Sequence, residues 1–299
     1  MFEALIDSFP DIAWMRDKRF LMVTGAGKSG TTWVQKILDS HPEIHCRGEG
    51  KFGYLVSGLV SAFANHGEKV EHSNHIVYGE GEAFYRRLSE RERRPVHQLA
   101  MAMAMLNGTA PIPRDVKYVG DKDPGYAFDI ESWVGLVMPG SWVVHIVRDC
   151  RDVIHSHRHH RARTEPELEA GSDALEKFVA HQAGLWAGLV SRVHAYGDVA
   201  PERYYAVKYE ALLADPVREI ADLLGFLDVD NGDAVATGIA AKTDFGVLSG
   251  GRSVGQEDRA SFYRKGGSGD WRDWFEDAHH AAVRERAGET MTAFGYSLD

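Results

Sequence analysis

Residues 20–33 read Phe-Leu-Met-Val-Thr-Gly-Ala-Gly-Lys-Ser-Gly-Thr-Thr-Trp, and this stretch constrains the fold more than any other. Residues 20–23 form a short apolar run with the length and composition of a buried strand. The run breaks at Gly25 and Gly27 and restarts as a helix from Thr31 to about Ser40. A glycine-rich turn between a strand and a helix aims backbone N–H groups at one point, where the helix N-terminus adds partial positive charge. Lys28, Ser29, Thr31 and Thr32 add an ammonium and three hydroxyls, with Gly27 and Gly30 between them. This is a cradle for a phosphate.

Spacing narrows the ligand. A nucleoside-triphosphate loop reads GxxxxGK[ST]. Gly27, Lys28 and Ser29 fit its end, but the first glycine position holds Met22, inside the strand. The turn is too short to wrap a triphosphate chain in the usual way.

The rest of the chain reads as an α/β protein. Further strands are expected over 115–120, 142–147 and 203–208, separated by helix-sized segments, which implies parallel crossovers and a doubly wound central sheet flanked by helices. Residues 1–19 read as a short helix punctuated by Pro10, and 43–50 as a loop in which Gly48 and Gly50 flank Glu49. Residues 51–114 read as a helical cap on the substrate side, with the charge run 86–94 as a solvated helix face. In that cap the methionines at 101, 103 and 105 fit core packing, and apolar clusters fall at 54–56, 83–85 and 99–106. Helices follow at 217–224 and 278–294, and 231–269 reads as a long loop over the ligand. No linker-like shift in composition precedes residue 230, so 1–299 is expected to be one domain.

Net charge is −10, which argues against nucleic-acid or anionic-membrane partners and leaves an anionic ligand to a local basic cluster. Two cysteines, Cys46 and Cys150, provide no disulfide framework and fit a reducing compartment. Residues 1–18 lack the apolar core of a secretory signal, and no run reaches transmembrane length, so a cytoplasmic location is expected.

Three separated segments resemble the sulfotransferases that use 3′-phosphoadenosine 5′-phosphosulfate (PAPS). The first is the 20–33 turn, similar to the family's 5′-phosphosulfate loop. The second is Ile146-Val147-Arg148 with Ser156, similar to the strand end and helix that grip the 3′-phosphate. The third is Arg264-Lys265-Gly266 with Gly269-Asp270-Trp271, which fits RKGxxGDW at every fixed position. The resemblance implies PAPS as donor, 3′-phosphoadenosine 5′-phosphate (PAP) as product, and a hydroxyl acceptor, expected to be a small molecule. It also implies that Trp33 and Phe245 sandwich the adenine and that Tyr209 lies nearby, although a tyrosine capping a strand end explains Tyr209 as well. Arg151 reads as a surface residue. The family's dimerisation motif is not evident, which leaves the oligomeric state open.

Sulfuryl transfer needs charge neutralisation on the leaving phosphate, for which Lys28 is placed, and a base for the acceptor proton. The cytosolic branch uses a histidine in THxP; here the segment is Asp121-Lys122-Asp123-Pro124. That resembles the protein-tyrosine branch, which has Lys-Asp-Pro there and a glutamate base in a loop after the first helix. Glu49 occupies the matching place, with Lys122 as a second contact to the sulfonate. Should Glu49 fail, the cap offers His66 and His75. The cluster His155, His157, His159 and His160 lacks zinc-type spacing and reads as a basic rim with Arg158, Arg161 and Arg163, so no metal is expected. Two rival readings are an ATP-dependent kinase, with Asp149 on Mg²⁺, and a nucleotide-binding protein without turnover.

Overall fold

The computed structural model describes residues 10–79, 85–108, 111–162, 165, 168, 173–258, 261 and 263–299. In chain order the elements begin with α1 (Pro10–Met15), β1 (Arg19–Thr24), α2 (Thr31–Asp39), β2 (Ile44–Gly48), α3 (Phe52–Tyr78) and α4 (Glu90–Leu106). Next come β3 (Tyr118–Lys122), β4 (Trp142–Val147), α5 (Cys150–Arg161), α6 (Asp173–Val199) and β5 (Tyr204–Lys208). The chain ends with α7 (Tyr209–Ala214), α8 (Pro216–Phe226), α9 (Asp233–Lys242), α10 (Phe245–Leu248) and α11 (Asp277–Ala293). Short helical turns fill 124–137.

The strands form one parallel sheet in the order β2-β3-β1-β4-β5. Side chains alternate across it, so β1 sends Phe20 and Met22 to one face and Leu21 and Val23 to the other. On the first face they meet α6 and α11, through Trp186, Val190 and Met291. On the second they meet α2 and α8, through Val34, Ile37, Leu38 and Ile220. Covering both faces explains why β1 and β4 read as apolar runs, interrupted in β4 only by His145, which is itself buried. The chain moves to one side of β1 for β2 and β3, then to the other for β4 and β5. The point of reversal lies between β1 and β4, where open α/β sheets form their ligand crevice beyond the carboxyl ends of the strands.

Several expectations change. The 43–50 loop contains a strand: Ile44 and Cys46 are buried, and β2 pairs with β3 from Ile44↔Tyr118 to Gly48↔Lys122. The second expected strand lies further on, so Asp121 and Lys122 are strand residues. The long loop at 231–269 is only partly a loop, because α9 and α10 occupy its first half. The run 86–94 is a helix face only from Glu90; Arg86 and Arg87 precede it and pair with Glu92 and Glu71. Met101 is fully buried and Met105 packs against the core, while Met103 is exposed. Residues 1–9 of the first segment, and Ala83 and Phe84 of one apolar cluster, lie outside the described residues. α6, which the sequence reading did not place, supplies nine buried residues to the core.

Candidate active site

The β1–α2 turn forms because Lys28 (φ 68°) and Gly30 (φ 99°) both take left-handed backbone. At Gly30 a Cβ would lie 2.8 Å from the Tyr209 ring, so this position has room for glycine alone. The first turn of α2 lines the crevice; its Trp33 backbone N–H closes onto the Gly30 carbonyl at 2.9 Å, while Thr31 and Thr32 precede any acceptor within the helix. A cavity of about 610 Å³ lies there. Gly27, Lys28, Gly30, Thr31, Thr32 and Trp33 line it from the turn, and Arg148 and Ser156 from β4 and α5. Tyr209, Phe245, Arg264, Lys265 and Gly266 close it from the other side, and Glu49 and Pro124 stand at one end. Two sequence-predicted residues lie outside the lining. Ser29 is fully buried, its N–H donates to the Ala26 carbonyl at 3.1 Å, and its hydroxyl meets no partner among the described residues. Lys122 is buried and reaches the site through Glu49.

Arg148 is the joint of the cavity. Its guanidinium donates to the Lys28 carbonyl at 3.3 Å and the Gly267 carbonyl at 2.9 Å, and stacks 4.3 Å over the Tyr209 ring. Its Nε is buried with no partner among the described residues. One arginine therefore ties the β1 turn to the C-terminal loop. Asp270 pairs with both Arg264, at 3.2 Å, and Lys265, at 2.7 Å. Asp152 accepts from the Gly269 N–H at 2.8 Å. Trp33 donates to the Thr243 carbonyl at 3.0 Å and meets Tyr209 edge-on, with centroids 5.6 Å apart.

Arg151 is not a surface residue. It is buried, pairs with Asp149 at 2.8 Å, donates to the Asp299 carbonyl and stacks 3.7 Å over buried Trp271. The same pair occupies both oxygens of Asp149, the carboxylate a kinase reading would place on a metal ion.

At the opposite end, Lys122 Nζ donates to Glu49 Oε1 at 2.8 Å and Lys51 Nζ to Oε2 at 2.6 Å. These two contacts, that of Lys122 foremost, hold the Glu49 carboxyl down at about 2. The Glu49 side chain is 40% exposed and lines the cleft.

The histidines divide. His159 and His160 line the cavity. His155 is buried and stacks on Trp274, and burial lowers its pKa to about 3. His157, which sequence reasoning gave no separate role, contacts the Gly27 carbonyl at 3.2 Å, and burial with Lys28 nearby lowers its pKa to about 4. Arg158 stacks over Trp274 and Arg161 pairs with Glu165, so the basic rim is largely engaged in packing. Arg163 lies outside the described residues. His66 and His75 are exposed on α3 and do not line the cavity.

The sequence profile of the Sulfotransferase family matches residues 21–233, most of the chain, from β1 to the start of α9. The chain belongs to the sulfotransferase family. Sulfuryl transfer is its chemistry. Rat sulfotransferase 1 family member D1 is 26% identical over 284 residues, covering 89% of this chain and 81% of the relative. Protein-tyrosine sulfotransferase 1 of Danio rerio is 23% identical over 222 residues, covering 74% of this chain and 56% of that protein. Among solved structures, sulfotransferase STF9 of Mycobacterium avium superposes with a TM-score of 0.55 at 14% identity, covering 99% and 82% of the two chains. Mouse sulfotransferase SULT7A1, solved in complex with PAP, gives 0.52 at 17% identity over 92% and 84%. The structural likeness establishes that this sulfotransferase shares their fold. No helix among its described residues is long and apolar enough to cross a membrane.

Proposed function

We propose that this sulfotransferase takes a sulfuryl group from PAPS and passes it to a hydroxyl of a small-molecule acceptor, releasing PAP. The observation that carries the reading is one cavity lined by Lys28 after β1, Glu49 after β2, Arg148 after β4, and Arg264 to Gly266. The donor set suits a doubly phosphorylated nucleotide. Cations, hydroxyls and helix-start N–H groups face it, and the buried Ser29 hydroxyl and Arg148 Nε have hydrogen-bonding capacity unused by the described residues.

In this reading Gly27 to Thr32 and Lys28 hold the 5′-phosphosulfate, and Arg148 with Ser156 the 3′-phosphate. Arg264, Lys265 and Gly266 close over the latter. Trp33 and Phe245 face the two sides of the adenine, with Tyr209 at its edge. When bound, PAPS supplies an activated sulfuryl group on a good leaving phosphate. Lys28 neutralises charge growing on that phosphate, Lys122 orients the sulfonate, and Glu49 receives the acceptor's hydroxyl proton at its carboxylate. A carboxylate held at about 2 is a weak acceptor, so Glu49 gains basicity when a lysine turns to the sulfonate. We further assign the whole chain to one domain, with α3 and α4 capping the acceptor end and the segment after α8 covering the nucleotide. The location we propose is cytoplasmic, in keeping with two buried free thiols.

The test is transfer of labelled sulfate from PAPS to a panel of phenols and alcohols, with wild type and Lys28→Ala. Turnover by the wild type, reduced by the substitution far more than PAP affinity is, supports the reading. Labelling from ATP with Mg²⁺ in place of PAPS contradicts it.

A further inference from the structure

Beneath the Glu49 turn lies a charged group that the transfer itself does not use. Asp121, one residue before the end of β3, is 2% exposed. The Tyr126 hydroxyl donates to its Oδ2 at 2.6 Å, and the Gly50 N–H to its Oδ1 at 3.4 Å. The groups facing it are Lys122 and Asp123 beside it in the chain, Tyr126 from the turn that follows, and Cys46 and its register partner Arg47 from β2. On the other side β1 presents uncharged Met22. Burial raises the Asp121 carboxyl to about 6, against the pull of the Tyr126 and Gly50 hydrogen bonds.

The turn above it is strained. Glu49 (φ 57°) and Lys51 (φ 55°) both carry a Cβ in left-handed backbone. Between them, Gly50 has no room for a side chain, because a Cβ would collide with the Phe52 ring. Such a conformation persists only where its surroundings enforce it. Two backbone bonds to consecutive residues of β3 do so, Glu49 N–H to the Lys122 carbonyl at 2.8 Å and Gly50 N–H to Asp121 at 3.4 Å, together with the Lys122 and Lys51 pairs on the Glu49 carboxylate.

We propose that Asp121 is a positioning residue: its ionised carboxylate, oriented by Tyr126, holds the 49–51 turn through the Gly50 N–H and so keeps Glu49 in place, and a proton on Asp121 releases the turn. The proposal rests on the reading of Glu49 as base. An ionised acceptor binds an N–H more strongly than a neutral one, so opening of the turn with Asp121 still buried raises its pKa above the closed-state value near 6; turn order is complete above the open-state value and is lost as pH falls from there toward 6. In the free enzyme, with both lysines on it, Glu49 protonates far lower, so an acidic limb of kcat/KM near pH 6 is assigned to Asp121 and not to the base.

Hydrogen exchange of the peptide spanning residues 46–56, corrected for intrinsic rates and followed from pH 5 to 8, tests this without an acceptor. In the wild type, protection is expected to be high at pH 8, to fall as pH drops toward 6 and to level off below it, by about tenfold for each unit by which loss of the Gly50 bond raises the Asp121 pKa. Asp121→Asn should show low, pH-independent protection. Tyr126→Phe removes a donor that favours the ionised form, so its midpoint should move upward; it carries the test alone if Asp121→Asn does not fold. Glu49→Gln should keep the wild-type transition while losing turnover. A wild-type transition in Asp121→Asn, an unmoved or lowered midpoint in Tyr126→Phe, or no transition in the wild type overturns the proposal. Full turnover by Glu49→Gln with the transition intact sinks the base assignment instead.

Discussion

At the nucleotide end of the cleft, Arg148, Asp152 and Asp270 bind the β1 turn, α5 and the C-terminal loop to one another over buried Trp271. At the end proposed for the acceptor, α3 runs for 27 residues and buries only Phe52 and Gly67, leaving Tyr54, Ile76 and Val77 exposed. The first region is fixed by contacts between segments far apart in sequence; among the described residues α3 is held by Phe52 and Val56 against the core, by α4, by the Arg87–Glu71 pair and by Asn74 donating to the Tyr85 carbonyl. On the reading proposed above, recognition of the nucleotide is built into the packed crevice of the sheet. The same reading leaves selection of the acceptor to α3 and α4, where exposed side chains change at small cost to the fold.

Function should divide along the same line. Glu49 sits where the two regions meet, and Glu49→Gln keeps its size while removing proton acceptance. Turnover should fall by about 10²–10⁴, with PAP affinity nearly unchanged. A comparable loss of PAP affinity would show that the two ends are not separable. Stability should divide too. Trp271→Ala removes a ring packed beneath Arg151 and is expected to cost about 3–5 kcal/mol in denaturant unfolding. Tyr54→Ala, on the exposed face of α3, should stay within about 0.5 kcal/mol. Equal losses would contradict the picture of a lightly held cap.

The smallest effect expected is on pH dependence. Glu49 is lowered from its usual 4.5 to about 2 by Lys122 and Lys51, so its contribution to stability is complete above about 4.5 and lost as pH falls toward 2. Lys51→Ala should raise the Glu49 pKa and narrow that window from below, leaving stability at pH 7 to 8 little changed because the pair is exposed. A carboxyl NMR titration of Glu49 reads this directly; an unmoved value would mean that Lys51 does not hold Glu49 in solution.

The same division governs what was legible in the sequence. β1, its turn, α2, β4 and the Arg264–Trp271 motif could be read because apolar runs and glycine spacing are local signals. β2 was hidden because only Ile44 and Cys46 carry its apolar pattern before glycines intervene. α9 was hidden among small residues, with only Ala236 and Ile239 buried. Arg151 was misread because what buries it, Trp271 and the carbonyl of Asp299, lies more than a hundred residues away. The roles argued for Lys51 and Asp121 depend on left-handed backbone at 49 and 51 and on the β2–β3 register, which no spacing in the sequence announces.

The central claim is that the crevice between β1 and β4 recognises both phosphates of the nucleotide. Thermal unfolding with PAP and with 5′-AMP, which lacks the 3′-phosphate, tests it in wild type and Arg148→Ala. A ligand at 100 times its Kd stabilises the native state by about 2.7 kcal/mol. PAP should give a shift of that order in the wild type, with 5′-AMP far behind at equal concentration, and the advantage of PAP should vanish in Arg148→Ala. Equal shifts from both nucleotides in the wild type would contradict the account.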